Sequence, residues 1–129
     1  MKMNLLYIFS IILLSFGCEK PVDKVYSIRI ENKSNDTIQF YASYVYPDTS
    51  IVSKKPRLDM AYPNDYSHID SKKKWEDVLP NNIISIFILS KDTVDTYNWE
   101  NIRSDYNILR RYDLSIEQLE SMNWTVTYQ

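Results

Sequence analysis

The 129-residue chain holds one glycine, one cysteine and one histidine, and each scarcity removes a class of chemistry. The glycine and cysteine are neighbours, Gly17-Cys18, so everything beyond them folds without glycine. A phosphate-cradling loop needs backbone approach without a Cβ, and a nucleophile elbow needs glycines beside its serine. Neither can be built here. A lone cysteine excludes an internal disulfide. With His68 as the only histidine, a histidine-rich metal cluster is impossible, and any Ser-His-Asp arrangement would rest on that residue alone. No metal and no cofactor is therefore expected. Fifteen Lys and Arg stand against 17 Asp and Glu, for a formal charge of −2, which gives no electrostatic reason to expect nucleic acid as a partner.

What is present begins with a greasy start. Met1-Lys2-Met3-Asn4 carries one positive charge, and the twelve residues Leu5 to Phe16 are apolar apart from two serines. That run falls short of the roughly 20 residues a spanning helix needs and has the layout of a secretory signal peptide. Ending on Gly17-Cys18, it resembles a bacterial lipoprotein signal, which is cut before a cysteine whose sulfur carries a diacylglycerol. The resemblance implies cleavage between Gly17 and Cys18, lipidation at Cys18, a tether over residues 18–24 and a single small domain over 25–129. Removing 17 of the 129 residues would leave 112, enough for one core, and losing Lys2 would take the charge to −3. At about 0.8 kcal/mol per buried CH₂, several acyl chains would hold the domain to a membrane without spanning it.

Without glycine, turns fall to Asn and Asp, which tolerate left-handed backbone best among the other residues. Three clusters fit: Asn32 to Asp36, Pro63-Asn64-Asp65 and Pro80-Asn81-Asn82. Between them, Tyr26, Ile28 and Ile30 alternate onto one strand face, as do Ile38, Phe40, Ala42 and Tyr44, and the two strands are expected to pair as a hairpin. Ile83 to Leu89 is apolar on both faces apart from Ser85, the pattern of a covered central strand. Trp99, Ile102, Tyr106 and Leu109 recur at helical spacing, although Ile108 to Leu114 also reads as extended. Ser115 and Gln118 form a capping box, flanked by a Leu114–Leu119 staple, for a helix near 116–122. Trp124 to Tyr128 alternates as a last strand. The polar stretch from Pro47 to Asn82 is too long for a plain loop and is expected to hold edge strands at Leu58–Tyr62 and Tyr66–Ile69. The fold class is α+β: a mostly antiparallel sheet with two short C-terminal helices and a final strand.

Candidate sites are few. Tyr62, Tyr66 and Trp75 lie in the polar middle, where a glycan or protein partner could stack on them; alternatively Trp75 pins that segment to the core. The lysine-rich runs Lys54 to Arg57 and Lys72 to Lys74 could meet anionic headgroups or an acidic partner, but both have acids beside them and read rather as solvated loops. Carboxylates could form an acid–base pair, but their sequence separation fixes no distance. Asp36-Thr37-Ile38 and Asp92-Thr93-Val94 resemble the Asp-Ser/Thr-apolar triplets at which some bacteria O-glycosylate exported proteins, which implies modification at Thr37 and Thr93; each triplet also suits a turn.

The leader, the Asn-rich turn before Tyr46-Pro47-Asp48-Thr49, the Ile/Phe-rich strand and the tail from Leu109 to Tyr128 together resemble small uncharacterised lipoproteins of Bacteroides-type Gram-negative bacteria. That resemblance implies a lipid-anchored protein of the cell envelope, at the outer membrane, and brings no activity with it. A non-enzymatic binding or accessory module is expected, engaging a glycan or another envelope protein; the alternative is a small carboxylate-dependent hydrolase acting on envelope or glycan substrates. Replacing Cys18 with Ser should move the protein from the membrane to the soluble fraction with its fold intact. Retention of that variant on membranes after a high-salt wash would refute the lipid anchor.

Overall fold

The computed structural model describes residue 17 and residues 20–129. Cys18 and the apolar run before Gly17 lie outside the described residues, and Gly17 itself is exposed. Seven strands and four short helices follow in the order β1 (Tyr26–Asn32), β2 (Ile38–Ser43), β3 (Asp59–Ala61), β4 (Asp65–Ser71), α1 (Trp75–Val78), β5 (Ile83–Ser90), α2 (Lys91–Thr96), α3 (Trp99–Ser104), β6 (Arg110–Ser115), α4 (Ile116–Ser121) and β7 (Thr125–Tyr128). The strands form two sheets. One is mixed, in the order β4-β1-β7, with β7 parallel to β1; the other is antiparallel, in the order β3-β2-β5-β6. The fold is α+β, and both expected edge strands lie at sheet edges.

The expected β1–β2 hairpin does not form, because β1 and β2 belong to different sheets. The cause is Asn32, the last residue of β1, whose side chain is fully buried. Its amide Nδ2 donates to the carbonyls of Asp36, at 2.8 Å, and Ala61, at 3.1 Å. Its Oδ1 accepts from the backbone N–H of Ser34 at 3.0 Å and from the Ser34 hydroxyl at 2.7 Å. All four hydrogen-bonding positions of the amide are used. The bonds turn the chain out of one sheet and hold it against β3 of the other.

Alternation then places the core. Ile28 and Ile30 of β1 meet Ile38 and Phe40 of β2 and Ile84, Ile86 and Ile88 of β5 between the sheets. Fully burying an Ile or Phe side chain contributes roughly 1.5–3 kcal/mol, so this layer carries much of the stability. Trp75 and Leu79 near α1 and Ile116 and Leu119 of α4 join the same cluster. The opposite faces of β2 and β5 are covered as well: Tyr41, Phe87 and Leu89 pack with Ile51, Val94 of α2 and Ile102 of α3. Tyr41 stacks on Phe87 with centroids 4.8 Å apart and meets Trp99 edge-on at 6.1 Å. β5 is therefore covered on both sides, as its composition predicts.

Ser115 caps α4 as expected, accepting from the Gln118 N–H at 3.2 Å, while the Gln118 side chain accepts from the Ser115 N–H at 2.9 Å. The helix expected across Trp99 to Leu109 stops at Ser104. Tyr106 adopts φ 50°, with its N–H on the Arg103 carbonyl and that of Asn107 on Ile102, a Schellman ending with tyrosine in the place glycine usually takes. The Leu109 N–H then bonds the Ile88 carbonyl at 2.8 Å, and the chain continues as β6. α4 ends in the same way with Asn123 at φ 52°. Asn64 and Asn82, at φ 58° and 55°, fill turn positions expected of them.

Asn32→Ala should lower unfolding free energy by about 2–3 kcal/mol, the upper part of the range for buried groups left without partners. Urea melts with an unchanged slope would show it, and a loss below about 1 kcal/mol would contradict the role given to the amide. Tyr41 gives a second test. Its buried hydroxyl lies beside the Val52 backbone but makes no hydrogen bond of good geometry, and burial pushes its pKa up to about 12 against the opposing pull of Val52. The folded state thus holds a proton that the unfolded chain releases near pH 10, and stability falls as the pH rises from about 10 to 12. Tyr41→Phe should match or exceed the parent stability at pH 7 and make that alkaline decline shallower. A clear loss at pH 7 would mean the hydroxyl is satisfied after all.

Candidate functional site

A groove of about 670 Å³ walled by aromatic rings lies where the chain enters the domain. Three separate turns build it. Lys24, Val25, Tyr26 and Ser27 bring in the start of β1, with the Lys24 ammonium 5.1 Å from the Tyr26 ring centre. On the neighbouring strand, Tyr26 pairs with Ser71, the last residue of β4. The Ser71 hydroxyl donates to the Lys73 carbonyl at 2.7 Å and accepts from the Lys73 N–H at 3.1 Å, turning the chain toward α1. This single helical turn points Trp75 inward and leaves Glu76 and Asp77 exposed.

Trp75 is 2% exposed and packs edge-on against Tyr44, with centroids 6.4 Å apart. Its indole Nε1 is buried without a hydrogen-bond partner. Three such side-chain atoms occur among the described residues, on Gln39, Tyr41 and Trp75, and of these residues Trp75 alone lines one of the grooves described here. A buried donor left unpaired costs about 1–3 kcal/mol, so the packing around Trp75 holds its ring in place against that cost.

Trp124 forms another wall. It follows Asn123 and shares its left-handed backbone, at φ 56°. For a bulky residue that conformation costs roughly 1–2 kcal/mol. Two backbone bonds hold it: the Trp124 N–H donates to Leu119, and its carbonyl accepts from Arg29, each at 2.8 Å. Strained residues of this kind concentrate at binding sites. The groove thus combines three aromatic rings with two lysines and two carboxylates, a balanced set of donors and acceptors around apolar walls.

Glu76 also lines a second trough of about 430 Å³, with Asn81, Asn82 and Ile83 on one side and Ser115, Ile116 and Glu117 on the other. A third hollow, about 260 Å³, lies among Arg57, Asp59, His68 and Asp70. Carboxylates thus occur in pairs in all three hollows. Except for half-buried Asp59 they are exposed and keep their water. Among the described residues no group of three His, Cys, Asp or Glu side chains is arranged to hold a metal ion.

The three aromatics singled out from the sequence do not converge. Tyr62 and Tyr66, 55% and 46% exposed, flank the β3–β4 turn. Tyr66 opposes Glu31, whereas Ser71, next to the α1 approach, opposes Tyr26 at the other end of β1. Five residue steps along the strand separate those positions, about 17 Å. One face of Tyr66 is already occupied by the Arg29 guanidinium, 3.6 Å from the ring centre, and His68 meets the ring edge-on at 5.4 Å. Trp75 is pinned in the core and at the same time lines the groove. Tyr26, Lys24 and Trp124 complete that groove and were read from sequence as core, tether and strand; the run Asn123-Trp124 after a helix in a glycine-free chain was the available signal.

Thr37 and Thr93 are both half-buried. The Thr37 carbonyl accepts from the N–H of Lys91, the first residue of α2, and Thr93 lies within that helix, so the two triplets are neighbours in space. No described helix is long and apolar enough to cross a membrane. Comparison of the chain with protein-family models, curated proteins and solved structures finds no match to any of them.

Proposed function

We propose that the chain is a lipid-anchored protein of the cell envelope, held at the outer membrane through Cys18, whose domain is a non-enzymatic binding module for a glycan. The observation that carries the reading is the groove itself, with Trp124, Tyr26 and Trp75 as its aromatic walls. Aromatic faces suit the C–H faces of sugar rings, and lysines together with carboxylates suit hydroxyls that both donate and accept. The anchor adds a constraint. Five residues separate Cys18 from Lys24 at the groove, and the six Cα-to-Cα steps, at about 3.3–3.6 Å each, reach roughly 20 Å. The glycan bound would lie close to the lipid surface.

Binding can be followed by tryptophan fluorescence, since Trp75 and Trp124 line the groove. Trp124→Ala should weaken glycan binding about tenfold, equivalent to about 1.4 kcal/mol, while Tyr62→Ala and Tyr66→Ala leave it unchanged. The reverse pattern would move the site to the β3–β4 turn. A second reading rests on Glu76 and Glu117, a carboxylate pair in one trough, and makes the protein a hydrolase. Chromatography of the glycan after incubation separates the two: shortened products that disappear with Glu76→Gln would replace binding by hydrolysis.

A further inference from the structure

Glu76 borders two hollows at once. On one side lies the tryptophan-walled groove, on the other the trough leading to Ser115 and Glu117 at the start of α4. We infer that the ligand is a glycan chain of several units, which passes Glu76 from the aromatic groove into this second trough, and that the part seated there is neutral or carries an amine. This rests on the glycan-binding reading of the groove.

Three features carry the inference. The hollows share a wall, so a chain that leaves one at Glu76 enters the other without crossing the core. They differ in chemistry, which gives the chain a direction. The first sets Lys24 and Lys74 against Glu76 and Asp77 around aromatic rings, whereas the second has Glu76 and Glu117 and no cation among its lining residues. An acidic trough without lysine or arginine repels carboxylate, sulfate or phosphate substituents and favours hydroxyls or ammonium groups. Finally, the frame is braced. The Ile116 N–H donates to the Asn82 carbonyl at 3.1 Å, tying the two sides of the trough together, and the Ser115–Gln118 capping box fixes the turn that presents Glu117. A second recognition element on one rigid frame adds affinity only for ligands long enough to reach it.

The test titrates the full chain, in detergent micelles, with oligomers of two, four and six units. The series are neutral (glucose, mannose, N-acetylglucosamine), amine-bearing (glucosamine) and anionic (galacturonate). A neutral or amine-bearing series should bind with affinity rising at least tenfold from two units to six. Glu117→Ala should abolish that gain, and Trp124→Ala should weaken binding at every length. Thermal melts of both variants establish that they are folded. Length-independent binding, or a length gain that survives Glu117→Ala, overturns the inference and leaves the groove reading in place. Preference for galacturonate overturns the acidic trough. Failure of every series at every length overturns the groove reading and the inference with it.

Discussion

The buried amide of Asn32 is the constraint on which the rest of the architecture depends. Its four hydrogen bonds reach the turn at Ser34 and Asp36 and the carbonyl of Ala61 in the opposite sheet. Its backbone pairs with Asp65 on one side and Tyr128 on the other. One residue thus joins β1 to both its neighbours and to β3. A polar group can be taken fully out of water only when satisfied in this way, so the corner has little freedom to adopt another path. The far side of the sandwich has a lighter closure, with the Tyr112 hydroxyl of β6 donating to the Thr127 carbonyl of β7 at 3.1 Å.

Period-two patterning made the faces of β1 and β2 legible, and the apolar run of β5 announced a strand covered twice. The capping box located α4 to within a residue, because its signal is local and chemical. Partner choice was not legible. Alternation says which side chains face the core but not which strand lies alongside, and an Asn-rich turn serves a hairpin and a crossing between sheets equally well. What decides between them is the bond from Asn32 to Ala61, 29 residues away. Helical spacing at Trp99, Ile102, Tyr106 and Leu109 overran the true end of α3 for a related reason: Tyr106 leaves the helix by its backbone while its hydroxyl bonds the Thr49 carbonyl at 2.9 Å. That Trp75 lies far from Tyr62 and Tyr66 was not legible either, since facing and distance across β1 and β4 are set by pairing.

Lack of glycine connects the fold to the site. Five residues adopt left-handed backbone among those described, three of them asparagines and two the aromatics Tyr106 and Trp124. Asparagine serves this purpose at modest cost, whereas an aromatic residue is held there only by surrounding bonds. At Tyr106 these include its hydroxyl, which also receives Arg111, itself bonded to Asp113. At Trp124 they are backbone bonds to Leu119 and Arg29, which fix the main chain and leave the indole beside the groove. Glycine at position 124 would relieve the strain and remove the wall.

The end of the sandwich is a better place for recognition than its broad open face. The outer face of the mixed sheet carries Ser27, Arg29 and Glu31 of β1 opposite Asp70, His68 and Tyr66 of β4. These groups largely satisfy one another: Ser27 donates to Asp70, Arg29 lies over Tyr66, and Glu31 is 3.8 Å from Lys33. A ligand arriving there would have to break as many interactions as it made. At the groove, by contrast, the aromatic walls already stand in place, and Lys24 and Lys74 are exposed and outside any ion pair seen among the described residues. Binding strength follows what a ligand adds beyond what it displaces, and that difference favours the strained, glycine-free corner at Trp124 and the start of β1.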